Sequence, residues 1–154
     1  MARFRYRMQN ILNIKSKLEE QEKNNFAAAQ RKLLEEQERL EIIMKQRDAL
    51  EEEAKEMRSS TLNVLQLQEN EYARKYVAEQ MKKQRLNVLV AEKNVEAARG
   101  KMQKAIQERK IHDKLKEHAF EEFLQEENAA EMKEIDQLTS YTHGKKETDS
   151  VSGE

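Results

Sequence analysis

Apolar residues recur every seven positions along the first sixty residues of this chain, and no proline interrupts the pattern. One row consists of Phe4, Ile11 and Leu18, continued after a one-residue slip by Phe26, Leu33 and Leu40. The partner position is held by Ile43, Leu50, Met57 and Val64. Such heptads pack one helix against another along a narrow seam, so we predict a long coiled-coil helix, weakened locally by Arg47.

The composition excludes a compact globular core. Charged residues make up 38% of the chain, aromatic residues only 5%, and there is no tryptophan, proline or cysteine. Helix-forming residues dominate, which is typical of long helices. We interpret the glutamate runs at 35–41 and 51–56 as solvated helix faces that pair with lysine and arginine.

The first break in the helical pattern is "RSSTLN", residues 58–63. Serine and threonine side chains compete for backbone hydrogen bonds, and Asn63 followed by Gln66 resembles a capping box. We therefore predict helix 1 over about 4–58, a turn at about 59–62 and helix 2 over about 63–138. A continuous helical rod of about 135 residues is the alternative.

Helix 2 carries its own heptad, in which large and small residues alternate: Val88, Val95 and Met102 with Ala91, Ala98 and Ala105. Alanine in the seam lets a second helix approach closely, which favours antiparallel pairing. The predicted fold is all-α: a long antiparallel two-helix coiled-coil hairpin over residues 3–138, with residues 139–154 as a disordered polar tail. We interpret Gly100 as a tolerated surface glycine rather than a hinge.

Helix lengths indicate which segment lacks cover. Folding near residue 60 places Phe4 opposite residues 118–120, so the remainder of helix 2 extends past the amino terminus. That remainder carries Phe120, Phe123, Leu124, Met132, Ile135 and Leu138. The amino terminus is basic and this segment acidic, so the two ends attract each other. An uncovered apolar stripe needs an external partner, which predicts a docking end here.

The stretch "ERKIHDKLKEHAFEEF", residues 108–123, looks at first like a catalytic or metal site. His112 and His118 lie six residues apart and point in different directions on a helix, whereas helical metal pairs are three or four apart. His118 and Glu122 have that spacing but lack a third ligand. A coiled coil also offers no dry pocket for acid–base chemistry. We predict no enzyme activity, no catalytic residue, no cofactor and no metal.

Two further features leave alternatives open. Tyr72 and Tyr76, one helical turn apart, either cover a helix end or form a recognition patch for a partner. The start "MARFRYRMQNILNIKSK" has the profile of a transit peptide or a membrane-surface helix. Because the heptad continues from it without interruption, we favour the beginning of the structural helix. With no long apolar run and a net charge of −1, we expect a cytosolic protein whose membrane contact is indirect, and no nucleic acid partner.

The ordered combination of both ends resembles the flagellar export FliJ family. The amino-terminal motif is "FRYRMQNILNIK", matched at Phe4, Tyr6, Arg7, Met8, Gln9, Ile11 and Leu12. The carboxyl-terminal motif comprises "ERKIHDKLKEHAFEEF" and "AAEMKEIDQL", matched at Arg109, Lys110, Leu115, Phe120, Phe123, Glu131, Met132 and Asp136. The resemblance covers residues 3–138.

The resemblance implies a non-enzymatic stalk and chaperone of the flagellar type III export apparatus. Its implied partners are the hexameric export ATPase, the membrane export gate and other export chaperones, with no small-molecule substrate. We hypothesise that the paired termini dock in the ATPase ring, through Phe4, Tyr6, Arg7, Met8, Gln9, Arg109, Leu115, Phe120, Phe123, Leu124, Met132 and Ile135. Tyr72 and Tyr76 would face the gate.

Two other functions remain open from the sequence. The first is a generic coiled-coil scaffold or the stalk of another rotary ATPase. The second is a nucleic-acid or membrane-surface binder that acts through Arg3, Arg5 and Arg7.

Overall fold

The chain folds into two helices, α1 (Gln9–Ser59) and α2 (Val64–Val151). This computed structural model describes residues 2–61 and 63–151. The chain divides into two units, each described separately below: one of residues Met1–Ser16 and Gln107–Glu154, the other of residues Lys17–Ile106. In each unit the amino-terminal segment pairs antiparallel with α2. The predicted all-α antiparallel hairpin is confirmed, and the continuous rod is excluded.

Local hydrogen bonds explain where the helices end and begin. The Ser59 hydroxyl donates to the carbonyl of Glu56 at 2.9 Å, and Arg58 Nε donates to the carbonyl of Ala54 at 3.2 Å, satisfying carbonyls of the last turn of α1. The carboxamide oxygen of Asn63 accepts the amide N–H groups of Leu65 and Gln66 at 3.1 and 3.4 Å. Asn63 is therefore the N-cap of α2.

In the unit of residues 17–106, three contacts show the antiparallel direction. The Asn70 amide donates to the carbonyl of Leu50 at 3.0 Å, and the Gln84 amide to the carbonyl of Glu36 at 2.8 Å. Farther along, Arg99 lies over the ring of Phe26 at 5.4 Å. From the first of these contacts to the last, the residue number in α2 increases while the residue number in α1 decreases, so the two helices are antiparallel.

The seam of α1 keeps one register. Buried or half-buried residues recur every seven positions: Glu19, Phe26, Leu33, Leu40, Arg47 and Ala54. The predicted one-residue slip is wrong, because Glu19 and Leu12, both buried, occupy the seven-residue row before Phe26. Ile11 flanks this row and is 38% exposed. Polar Glu19 conceals the true row in the sequence.

The seam of α2 matches the predicted large and small alternation. Ala91, Val95 and Ala105 are buried, and Val88, Ala98 and Met102 are half-buried. Small side chains at every second seam position permit close approach of the two helices.

Residues 2–8 precede α1 and are not helical. Helix 1 was predicted to begin near residue 4, but the first helical turn forms where the Gln9 N–H donates to the Tyr6 carbonyl at 3.2 Å. Phe4 and Tyr6 are half-buried, whereas Arg3, Arg5 and Arg7 are exposed. This alternation is the period of an extended chain and directs both rings inward.

At the other terminus, α2 remains helical through residues 139–151, where the sequence predicts a disordered tail. The hydroxyls of Thr139 and Thr142 donate to the carbonyls of Ile135 and Leu138 at 2.8 and 2.7 Å. All described side chains over 139–148 are exposed. Helix propagation needs only local backbone bonds, so the missing apolar period removes tertiary packing without ending the helix.

Candidate partner-binding surfaces

An aromatic cluster joins the amino-terminal segment to α2 in the unit of residues 1–16 and 107–154. The ring centroid of Phe4 lies 5.2 Å from that of Phe120, edge to face, and 5.4 Å from that of Phe123. Edge-to-face geometry sets the positive ring edge against the negative ring face. The prediction that Phe4 lies opposite residues 118–120 is confirmed.

Charge complementarity accompanies this cluster. The groove beside it is lined by Arg3, Arg5 and Arg7 from the amino terminus and by Glu122 and Glu126 from α2. Tyr6 and Met8 line the same groove. Nearly two turns into α1, Lys15 Nζ lies 3.1 Å from the Glu108 carboxylate. The basic amino end thus lies against the acidic face of α2, as the charge distribution of the sequence predicts.

The remaining predicted residues of this unit occupy the surface around the cluster. Gln9 donates through its amide to Asn13 at 2.9 Å, and Arg109 pairs with Asp113 on α2. Leu115 and Leu124 are partly exposed on either side of Phe120. Met132, Ile135 and Leu138 are 61%, 56% and 66% exposed. The unit therefore presents an apolar stripe that continues past the aromatic cluster. We call this stripe, Leu124 to Leu138, the terminal stripe.

Tyr72 and Tyr76 belong to the other unit, Lys17–Ile106, and are 80% and 63% exposed. They lie one turn apart on α2, so both rings project from the same side of the helix. Exposed aromatic side chains are enriched in protein interfaces. Both rings are therefore accessible to a partner.

The two histidines of residues 108–123 both lie on α2 and have different surroundings. Within the part of the chain that the structure describes, no group of three or more His, Cys, Asp or Glu side chains could hold a metal ion. His118 Nδ1 lies 3.6 Å from the carboxylate of Glu121, three residues later in α2. The spacing in the sequence pairs His118 with Glu122 instead. His112 is half-buried and lies seven residues after the buried seam residue Ala105.

A buried polar cluster was not predicted from the sequence. Glu36 and Gln84 are only 5% and 7% exposed, so the interpretation of residues 35–41 as a solvated face is wrong at Glu36. The Gln84 amide donates to the Glu36 carboxylate at 2.5 Å, and Lys32 Nζ lies 3.0 Å from it. The Gln84 hydrogen bond, followed by that of Lys32, lowers the pKa of Glu36 below its usual 4.5. One sequence feature could have indicated that Glu36 is buried: it lies seven residues before Ile43, which in turn lies seven residues before Leu50.

Neither helix contains, among the described residues, a segment long and apolar enough to cross a lipid bilayer.

The fold and its paired termini define a class: antiparallel two-helix coiled-coil proteins that expose an apolar terminal surface. A family model described as "Flagellar FliJ protein" matches residues 4–148. The chain belongs to the FliJ family. Membership implies a component of the flagellar protein export apparatus and export-apparatus partners, in a family of structural, generally non-enzymatic proteins.

The chain is also similar to a solved structure. The structure of a YscO homologue from Chlamydia trachomatis matches with a TM-score of 0.68 and 26% sequence identity. The match covers 92% of this chain and 96% of that chain. No curated protein matches this chain in sequence.

Proposed function

We propose that this chain is a stalk and chaperone of the flagellar type III export apparatus that binds the hexameric export ATPase and promotes its activity. In this proposal the unit of residues 1–16 and 107–154, which we call the terminal unit, enters the ATPase ring. Tyr72 and Tyr76 contact the membrane export gate. The protein works in the cytoplasm, at the cytoplasmic side of the membrane at the flagellar base. It touches the membrane through its partners, and other export chaperones bind it there.

The packing of Phe4 on Phe120 and Phe123 carries the ATPase half of the proposal. The rings hold the amino-terminal segment on α2, so the docking surface contains residues from both ends of the chain. Next to them Met132 and Ile135 are exposed and make the surface apolar. Where residues 9–16 pair with α2, the two helical segments measure about 20 Å across. We expect the central opening of the ATPase ring to admit a segment of this width.

The charges of the terminal unit suit a polar ring interior as well. Arg3, Arg5 and Arg7 are exposed and line one groove together with Glu122 and Glu126 of α2. Charged rims set orientation and association rate, and apolar centres provide most of the affinity. The terminal surface offers both kinds of contact.

Tyr72 and Tyr76 support the gate half of the proposal. Both are exposed in the unit that does not contain the termini. A stalk that couples two partners needs two separate contact surfaces, and these tyrosines provide the second.

The test is a pull-down with the hexameric export ATPase, using the chain truncated after Glu117. We expect loss of binding and of ATPase stimulation, because the truncation removes Phe120, Phe123 and the terminal stripe. Since the truncation also removes the packing partners of Phe4, a second variant combines Met132→Ser and Ile135→Ser, both exposed positions. Ile42→Ser, at an exposed apolar residue of the other unit, is the control. Unchanged ATPase binding by both test variants would contradict the proposed docking.

A further inference from the structure

A basic-rimmed apolar groove runs along α2 in the unit of residues 17–106. Its volume is about 630 Å³, and its lining comprises Arg47 of α1 together with Ala78, Met81, Lys82, Arg85, Leu86 and Leu89 of α2. The α2 residues recur at intervals of three and four, so they form one continuous stripe along the helix. From Ala78 to Leu89 this stripe is about 16 Å long, or three helical turns.

The groove lies outside the seam that joins α1 to α2. Met81 is a seam residue, only 7% exposed, and it forms the floor. Leu86 and Leu89 are 58% and 47% exposed, so they form uncovered walls. Val90, one turn after Leu86, is also exposed and extends the apolar surface. Large apolar side chains grouped in this way mark interaction sites, unlike scattered exposed leucines.

The rim of the groove is positively charged. Arg47 is held in place, because its Nη1 lies 3.7 Å from Met81 Sδ and its Nη2 lies 3.0 Å from Asp48. Lys82 and Arg85 form no ion pair with any residue that the structure describes. No acidic side chain lies among the described residues that line the groove. Two unneutralised cations beside an apolar floor attract a partner that carries both carboxylates and apolar side chains.

We propose that this groove, which we call the basic groove, binds an acidic amphipathic helix of a partner protein. The stripe matches one face of such a helix over three to four turns, so that helix would pack as a third helix beside the coiled coil. Its apolar face would cover Leu86, Leu89 and the exposed edge of Met81. Its carboxylates would pair with Lys82 and Arg85.

The proposal is independent of the proposed ATPase and gate contacts. Neither the terminal stripe nor Tyr72 and Tyr76 line the basic groove. Variants of the groove can therefore fail or succeed without changing binding at those two surfaces.

The binding test uses the full-length chain and a synthetic acidic amphipathic peptide of about 18 residues, five helical turns, in fluorescence anisotropy. A scrambled peptide with the same composition keeps the charge but loses the apolar face. We expect the amphipathic peptide to bind at least about tenfold more tightly than the scrambled one. Equal binding of the two peptides overturns the proposal, because it reports non-specific attraction.

Charge-reversed variants test the rim. The double variant Lys82→Glu and Arg85→Glu should lose binding of the acidic peptide and gain binding of a basic version of it. The control variant Lys101→Glu and Lys104→Glu makes the same charge change, with the same spacing, at exposed positions of α2. Equal losses in both variants, or no loss in either, overturn the proposal.

Photo-crosslinking in cells identifies the natural occupant. A benzophenone amino acid placed at Leu86 should link to a peptide of another protein whose sequence is acidic and amphipathic. A linked peptide from a second copy of this chain would indicate self-association and overturn the proposal. Links only to lipid or nucleic acid, or no link at all, would also overturn it.

Discussion

Gln84 holds Glu36 across the seam of the unit of residues 17–106. Its side-chain amide donates to the Glu36 backbone carbonyl at 2.8 Å and to the Glu36 carboxylate at 2.5 Å. Lys32 and Arg39 approach the same carboxylate at 3.0 and 3.7 Å. A buried carboxylate is tolerated when such groups compensate for its lost hydration. The pair aligns one position of α1 with one position of α2, so we interpret it as a determinant of helix register.

The first prediction concerns pH. The pKa of Glu36 is lowered in the folded chain, chiefly by the Gln84 hydrogen bond and then by Lys32. Because the folded pKa lies below the unfolded value of 4.5, the stabilisation is complete above that value and is lost as pH falls through the folded pKa. In thermal unfolding followed by circular dichroism, Glu36→Gln should flatten the decline in Tm below pH 4.5.

The matched control for this experiment is Glu38→Gln, which removes a carboxylate at an exposed position two residues away. It should leave the pH profile of Tm close to that of the unmodified chain. Parallel acid profiles for the Glu36 variant and the unmodified chain would contradict the role assigned to the Glu36 carboxylate.

The second prediction is a coupling between Phe4 and Phe120. Their rings pack edge to face at 5.2 Å, a geometry that contributes about 0.5–1.5 kcal/mol beyond simple burial. A double-mutant cycle with Phe4→Ala and Phe120→Ala should therefore return a coupling free energy of unfolding in that range. The measurement is chemical denaturation of the four proteins. A control cycle pairs Phe4→Ala with Leu86→Ala, which lies in the other unit, and should return a value near zero.

The antiparallel fold could be predicted because the heptads are long and the turn carries its own chemistry. Val88, Val95 and their alanine partners keep seven-residue spacing, and Asn63 caps α2 as its side chain suggests. The lengths of the two helices then brought Phe4 near Phe120. These inferences depend on residue spacing, which can be read from the sequence, and on the constant rise per residue of an α-helix.

The parts that could not be predicted depend on polar residues in unexpected places. Glu19 and Glu36 occupy seam positions, and hydropathy alone assigns charged residues to the surface. The segment around Phe4 and Tyr6 alternates with arginines, yet the helical spacing of the following residues concealed this extended pattern. The basic groove combines Arg47 of α1 with a stripe of α2, and only the packed structure brings these residues together.

The third prediction separates the two partners. Tyr72→Ala combined with Tyr76→Ala should weaken binding to the export gate protein and leave binding to the export ATPase unchanged, because both side chains are exposed outside the terminal unit. Removing two exposed aromatic anchors typically weakens an interface on the order of tenfold or more. Calorimetric titration of each purified partner measures both effects. Met132→Ser with Ile135→Ser is the reciprocal control and should show the opposite pattern.

If the tyrosine variant loses both partners together, a folding defect must be distinguished from a shared binding site. If the Tm of the tyrosine variant is unchanged, the variant is folded, and the loss of both partners would contradict the proposal that they bind two separate surfaces. Unchanged binding of the gate protein would contradict the assignment of Tyr72 and Tyr76.

The fourth prediction concerns Gly100, which lies inside α2. An added Cβ at this position meets nothing within 4 Å, so alanine fits without strain. Alanine also restricts the unfolded chain and favours helix by about 1 kcal/mol. Gly100→Ala should therefore raise Tm by roughly 2–4 °C in a thermal unfolding experiment.

Gly144→Ala is the matched control, because an added Cβ there also meets nothing within 4 Å. Gly144 lies in the exposed end of α2, where the described side chains make no packed core, so its substitution should stabilise only local helix and leave the main transition unchanged. A rise in Tm with full motility of cells carrying Gly100→Ala agrees with a tolerated surface glycine. Loss of motility despite that rise would instead show that α2 must bend at Gly100 during export.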